Sequence, residues 1–132
     1  MNMSVELTFQ FSSAHFYQNK NWSEKKNKEV FGKCYDTHGH GHDYQLKLNV
    51  ILKNKATPQK VREEVEVTLQ ALDHHHLNFA IELFNSQVPT TENLTLFLYE
   101  KLKKAQSFEL ISLELNEDPY LGTRLVAPVA VL

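Results

Sequence analysis

One cysteine, four glycines, four prolines and one tryptophan in 132 residues rule out several designs at once. A lone thiol, Cys34, excludes an internal disulfide framework. With no secretory h-region in view, the chain reads as cytoplasmic. The scarcity of glycine and proline leaves no low-complexity tail and no linker. No apolar run approaches the ~20 residues that would cross a bilayer. Charge of neither sign dominates, and a net charge of −2 gives no general attraction to nucleic acid or to an anionic membrane. What remains is a chain that is 42% hydrophobic, enough to fill the core of one domain spanning residues 1–132.

Histidine, by contrast, is abundant, with seven residues mostly gathered at 38–42 and 74–76. The run Phe31 to Tyr44 sets Cys34 six and eight residues before His40 and His42. Side chains two apart on a strand share a face, so His40 and His42 point the same way if a strand begins there. The even-numbered phase continues as Tyr44, Leu46, Leu48, Val50 and Leu52, an apolar face that opens on imidazoles. An earlier strand, Met3 to His15, does the reverse. Val5, Leu7, Phe9 and Phe11 alternate with polar residues, and the same phase ends at Ser13 and His15. Paired antiparallel, the end of the first strand lies beside the start of the second. His15, His40 and His42 are thereby expected at one sheet edge. His38 falls to the side of a glycine and reads as a loop residue.

The remaining elements follow from local signals. Gln18 to Lys33 is polar and carries five lysines (20, 25, 26, 28 and 33), a loop with a short helix starting at Ser23. Thr57-Pro58 is a helix start, a hydroxyl cap followed by a residue whose missing N–H costs nothing there. Val61, Val65, Leu69 and Leu72 follow at helical spacing, and Asp73 to Asn78 breaks the pattern. A second helix opens after Pro89, capped by Thr90 or Thr91, with Glu92 in the first turn where the dipole favours a carboxylate. Its buried stripe is Leu94, Phe97, Leu98 and Leu102. A third strand, Phe108 to Asn116, places Ile111, Leu113 and Leu115 inward with Glu117 next in phase. Asp118-Pro119 turns the chain into a fourth, Tyr120 to Val129. The order β-β-α-α-β-β describes an α+β fold, a four-stranded antiparallel sheet with two helices on one face.

Three neutral imidazoles with an open fourth position are the ligand set of a catalytic zinc, which polarises oxygen and eases proton removal from a neighbouring carbon. The plainer reading of His-Gly-His-Gly-His is a polar turn; the phase match with His15 favours the metal. Cys34, beside Lys33 and a metal loop, is expected to have its thiolate favoured and to act as acid or base, where a lone cysteine is otherwise an inert buried residue. Asp73-His74 suits a proton relay, or else a helix end whose histidines satisfy carbonyls, a role left to His75 and His76. Glu117 at an inward strand end can accept from a guanidine-like ring edge, or is a solvated turn residue. The lysines suit a polyphosphate, and equally a solvated loop.

These pieces closely resemble 6-pyruvoyl-tetrahydropterin synthase and its sister, the queuosine-pathway 6-carboxy-tetrahydropterin synthase. The resemblance lies in Phe11-Ser12-Ser13-Ala14-His15, Phe31-Gly32-Lys33-Cys34 with Gly39-His40-Gly41-His42 and Tyr44, Leu72-Asp73-His74, Pro89-Thr90-Thr91-Glu92-Asn93, and Glu117, in family order. It implies the tunnelling fold, assembled as a homohexamer (a dimer of trimers) with sites at subunit interfaces. It implies Zn2+ on His15, His40 and His42, proton transfer by Cys34 with Asp73 and His74, and substrate binding by Glu117, Thr90, Thr91 and Lys33. The implied substrate is 7,8-dihydroneopterin triphosphate, converted to 6-pyruvoyl-tetrahydropterin or, in the sister reaction, to 6-carboxy-tetrahydropterin and acetaldehyde. A non-catalytic metal- or pterin-binding descendant is the rival from another class. Two segments depart from the family pattern: Lys53 to Pro58 is short, and Tyr35 to His38 differs from the usual Asn-Pro-Asn loop.

Overall fold

The computed structural model describes residues 3–36 and 39–128. Its elements are β1 (Val5–His15), α1 (Glu24–Phe31), a 3-10 turn (Gly32–Tyr35), β2 (His40–Leu52), α2 (Pro58–Gln70), β3 (His75–His76), α3 (Leu77–Ala80), a 3-10 turn (Glu82–Asn85), α4 (Thr91–Leu102), β4 (Phe108–Asp118) and β5 (Leu121–Val126). The fold is α+β, as the sequence order suggests, but the sheet has five strands, in the order β3-β1-β2-β4-β5. The additional strand is His75–His76, which pairs parallel with Ser13 and Ala14. The three-histidine run looks like a helix break in sequence, and nothing local reveals that its backbone bonds across to β1. His38, read as a loop residue, and Val129, the expected end of the last strand, lie outside the described residues.

Alternation builds the core. Leu7, Phe9 and Phe11 of β1 and Tyr44, Leu46, Leu48 and Val50 of β2 are buried in one cluster with Val61, Val65 and Leu69 of α2 and Leu94, Leu98 and Leu102 of α4. Thr57 and Thr90 cap α2 and α4, accepting from Lys60 N and Asn93 N. On β4 the expected phase is wrong at one position. Asn49 pairs with Ser112 but Val50 pairs with Leu110, so Ile111 is the extra residue of a bulge. Leu110 is therefore buried and Ile111 only half-buried. A bulge flips the side-chain phase on its far side, which alternation alone cannot foresee.

The short connection before α2 and the lysine-rich loop are held by specific contacts, while Tyr35 to His38, the other segment that departs from the family pattern, runs beyond the described residues at 37 and 38. At the short connection before α2, Asn54 and Lys55 both take positive φ (54° and 58°). Ala56 N donates to Lys53 O at 2.9 Å, closing a tight turn. The lysine-rich stretch folds into α1 and the 3-10 turn around one buried side chain. Asn27 accepts from Asn19 N (2.7 Å) and donates to Asn19 O and Ser23 O (3.1 and 3.0 Å). Tyr17 N donates to Cys34 O at 2.5 Å, tying the cysteine to the end of β1. No helix among the described residues is long and apolar enough to cross a membrane.

At the opposite end of the sheet, Glu64 of α2 fastens the entry to β4. Its carboxylate accepts from Gln106 N and Ser107 N (both 3.0 Å) and from Ser107 Oγ (2.5 Å). Burial pushes this carboxyl up, but those three hydrogen bonds, with Lys60 nearby, hold it below its ordinary value. Glu64→Ala strands the Ser107 donors and should lower stability by roughly 2 kcal/mol. Urea unfolding reads this as a lower midpoint at unchanged slope, and Glu64→Gln, which keeps a carbonyl acceptor, should lose less.

Candidate metal centre and active site

The antiparallel register of β1 and β2 pairs His15 with His40 and Ser13 with His42. The two strands thus deliver three imidazoles to one sheet end, on the core-facing side. Gly39 makes the approach possible. It sits at φ +73°, and a Cβ there would meet His15 O at 2.8 Å and His76 Nε2 at 2.7 Å. The ring centroids of His15, His40 and His42 lie 4.6 to 5.0 Å apart, and His15 Nε2 is 3.1 Å from His40 Nε2.

A fourth group completes the cluster. Glu117 is buried at the end of β4, where Asn116 pairs with Gly122 and Asp118 with Leu121, leaving Glu117 as a bulge residue. Its Oε1 stands 2.7 Å from His42 Nε2, while Oε2 accepts from Thr91 Oγ1 at 2.5 Å. One donor atom each from His15, His40, His42 and Glu117 lie within 4.8 Å of one another. His42 Nε2 is buried and, apart from this close approach of Glu117 Oε1, has no hydrogen-bonding partner among the described residues. Nitrogens facing one another, with a carboxylate beside them, form a donor set that suits a divalent cation.

The electrostatics keep His15 in the metal-binding form. It is fully buried, and burial first, then the neighbouring His40, His42 and His76, lower its pKa from 6.5 to about 3. His15 Nδ1 pairs with Tyr44 Oη at 3.0 Å. With Nδ1 as donor, the Nε2 lone pair faces the cluster, so Tyr44 orients the ring from behind. Burial, then Glu117 and Tyr17, push the Tyr44 phenol upward and keep it neutral. Tyr44 reads in sequence merely as the next core residue of β2; its role as the partner of His15 needed the third dimension.

Metal-free protein should accordingly be acid-sensitive. Above pH 6.5 His15 is neutral in both folded and unfolded chains. Below it the unfolded chain binds a proton that the folded chain refuses until about pH 3. Stability is thus complete above the unfolded pKa and lost as pH falls. The loss from His15 alone is roughly 2 kcal/mol at pH 5. Thermal melts of chelator-treated protein at pH 7.5, 6 and 5 should show a progressive fall.

Cys34 lies half-buried in the 3-10 turn, its Sγ 3.9 Å from His40 Nε2. It opens on a cleft of about 970 Å³ whose walls include Lys28, Lys33, Tyr35 and His40. The expected lowering of its pKa by Lys33 is corrected here. Lys33 is exposed, while burial and then Glu117 push the thiol up. Thr91 reaches Glu117, whereas the Thr90 hydroxyl is engaged in capping α4. Asp73 and His74 are not gathered in. Asp73 Oδ1 accepts from Ser12 N at 2.9 Å, and His74, whose side chain is 82% exposed, stands 3.7 Å from Asp73 Oδ2. Among the described residues neither hydrogen-bonds with Cys34 or with the three rings. His74 also takes φ +58°, a strained conformation for a non-glycine residue. His75 Nδ1 meets Asp73 O at 2.7 Å, the carbonyl-satisfying role expected of it. His76 instead packs against Phe16 and Phe79 behind Gly39.

Fold and site together define a small α+β protein of the tunnelling-fold type whose sheet ends in a metal-capable His/Glu centre beside a thiol. The family model described as 6-pyruvoyl tetrahydropterin synthase matches residues 4–125, and the chain belongs to that family. It is similar to the 6-pyruvoyl tetrahydrobiopterin synthase of Poecilia reticulata, 34% identical over 104 residues that cover 72% of this chain and 69% of that protein. It is 32% identical over 109 residues to the Homo sapiens protein of the same name, covering 76% of this chain and 74% of the other. Among solved structures, the Caenorhabditis elegans 6-pyruvoyl tetrahydropterin synthase superposes with a TM-score of 0.86 at 29% identity, over 96% of each chain.

Proposed function

We propose that this chain is a zinc-dependent lyase that takes 7,8-dihydroneopterin triphosphate and eliminates triphosphate to give 6-pyruvoyl-tetrahydropterin. The observation that carries the reading is the approach of His15, His40 and His42 to one another with Cys34 Sγ 3.9 Å from the His40 ring, in a chain of this family. Zinc held by the three imidazoles would supply Lewis-acid polarisation of the substrate's side-chain oxygens. Cys34 moves the proton on the adjacent carbon, within reach of the same cleft. Glu117 and Thr91 offer a buried acceptor for the amidine-like edge of the pterin, which presents two parallel N–H donors. Lys28 and Lys33 line the cleft and attract the triphosphate.

Asp73 and His74 assist from a neighbouring subunit. The 82% exposure of the His74 side chain leaves it accessible to another copy of the chain, as shared sites in a homohexamer would need. Incubation of the zinc-loaded protein with 7,8-dihydroneopterin triphosphate, followed by mass spectrometry, tests the proposal. Release of 6-pyruvoyl-tetrahydropterin is the expected result. Release of 6-carboxy-tetrahydropterin with acetaldehyde would assign the sister reaction, and absence of both products from a metal-loaded protein would defeat the enzyme reading.

A further inference from the structure

Resting on the metal reading above, the geometry points to a fourth protein ligand: we infer that Glu117 binds the cation through Oε1 in the substrate-free protein and closes its coordination sphere. A tetrahedral zinc with ligands at about 2.0–2.1 Å has edges of roughly 3.3 Å between ligand atoms. The His15 Nε2–His40 Nε2 contact at 3.1 Å falls near that length, the His42 Nε2–Glu117 Oε1 contact at 2.7 Å is shorter and opens slightly as a cation seats, and all four donors lie within 4.8 Å. Cys34, the other candidate nearby, is not part of that group; its Sγ stands 3.9 Å from His40 Nε2.

The two oxygens of Glu117 have separate duties. Oε2 is fixed by the Thr91 hydroxyl, which leaves Oε1 pointed at the rings. Oε1 of this buried carboxylate faces a buried imidazole nitrogen that has no hydrogen bond, a costly arrangement that a cation bound to both atoms would relieve. The ligand set then has the closed, four-coordinate form of a resting site. The pterin opens it by drawing the carboxylate onto its own N–H edge. Glu117 thereby couples arrival of the substrate ring to exposure of a coordination position, so that the metal does not offer an open site to small anions between turnovers.

The test measures metal binding and not turnover. Zn2+ affinity is read by chelator competition, and Co2+-substituted protein is read by its visible spectrum and its response to azide. Wild type should bind one cation per chain, with intense four-coordinate Co2+ bands that azide barely disturbs. Glu117→Gln should bind zinc about 10–100-fold more weakly, show weaker and shifted Co2+ bands, and respond to azide at lower concentration. Glu117→Asp, whose shorter side chain draws Oε1 back, should behave in the same way if the glutamine variant does not fold. Unchanged affinity, or reduced affinity with an unchanged Co2+ spectrum and azide response, would overturn the inference, because Glu117 would then act only through His42. Failure of wild type to bind a stoichiometric cation would instead remove the metal reading on which the inference stands.

Discussion

Replacing Cys34 with alanine should cut turnover of 7,8-dihydroneopterin triphosphate roughly a thousandfold while leaving zinc content unchanged. The magnitude is that of a removed proton-transfer group, and the unchanged zinc follows from the four-donor cluster, which does not include the thiol. The environment of Cys34 adds a sharper expectation. Burial and the Glu117 carboxylate raise its pKa, so without a cation the thiol is protonated at neutral pH. A dication held by the neighbouring imidazoles would act in the opposite direction by simple Coulomb reasoning. The rate of the wild-type enzyme should therefore rise with pH as the thiol ionises, and the residual rate of Cys34→Ala should lack that limb. Cys34→Ser, similar in size but much harder to ionise, should be as inactive as the alanine variant. Turnover of Cys34→Ala near the wild-type rate would move the proton-transfer role to another group.

How much of this was legible from the residues depends on whether the signal was local. His15, His40 and His42 could be brought together from sequence because two regular strands, paired antiparallel without a bulge between them, preserve side-chain phase from end to end. Glu117 could be placed on the inward face because Leu113 and Leu115 precede it on the same side of the Ile111 bulge. Ile111 itself could not, since a bulge is a property of the pair and not of one strand. The thiol's pKa was misjudged for a related reason. Sequence adjacency to Lys33 said nothing of exposure; burial, the larger cause, is a tertiary property, and the carboxylate that adds to it is 83 residues away. Glu117 beside His42, Tyr44 behind His15, and Asn27 inside the lysine-rich loop are likewise tertiary pairings with no local signature. Asp73-His74 shows the converse limit: the dipeptide is easily noticed, but among the described residues it makes no hydrogen bond to Cys34 or the three imidazoles of its own chain.

Substitution of His15 is the change with the largest expected effect on the metal and the most informative effect on the fold. His15→Ala should weaken zinc binding by at least a thousandfold and abolish turnover, because it deletes the one ligand that is fully buried and held from behind by Tyr44. The metal-free variant should nonetheless differ from metal-free wild type in an unusual way. At pH 7.5 it should be less stable by about 2 kcal/mol, having lost buried contacts and stranded the Tyr44 hydroxyl. At pH 5 that deficit should shrink or vanish, since wild type has by then lost roughly 2 kcal/mol by holding His15 neutral and the variant has not. Melting curves of the two metal-free proteins should thus converge on acidification. Parallel curves between pH 7.5 and 5 would mean that His15 takes up its proton as readily in the folded protein as in the unfolded chain, and would overturn this account of its burial. In the metal-loaded wild type the gap at neutral pH widens: the same ring that costs stability in acid becomes the anchor of the cation, and acid should release the metal as protons claim its ligands. The site thus carries a folding penalty at low pH and a metal-binding gain at neutral pH, and His15→Ala separates the two effects in a single comparison.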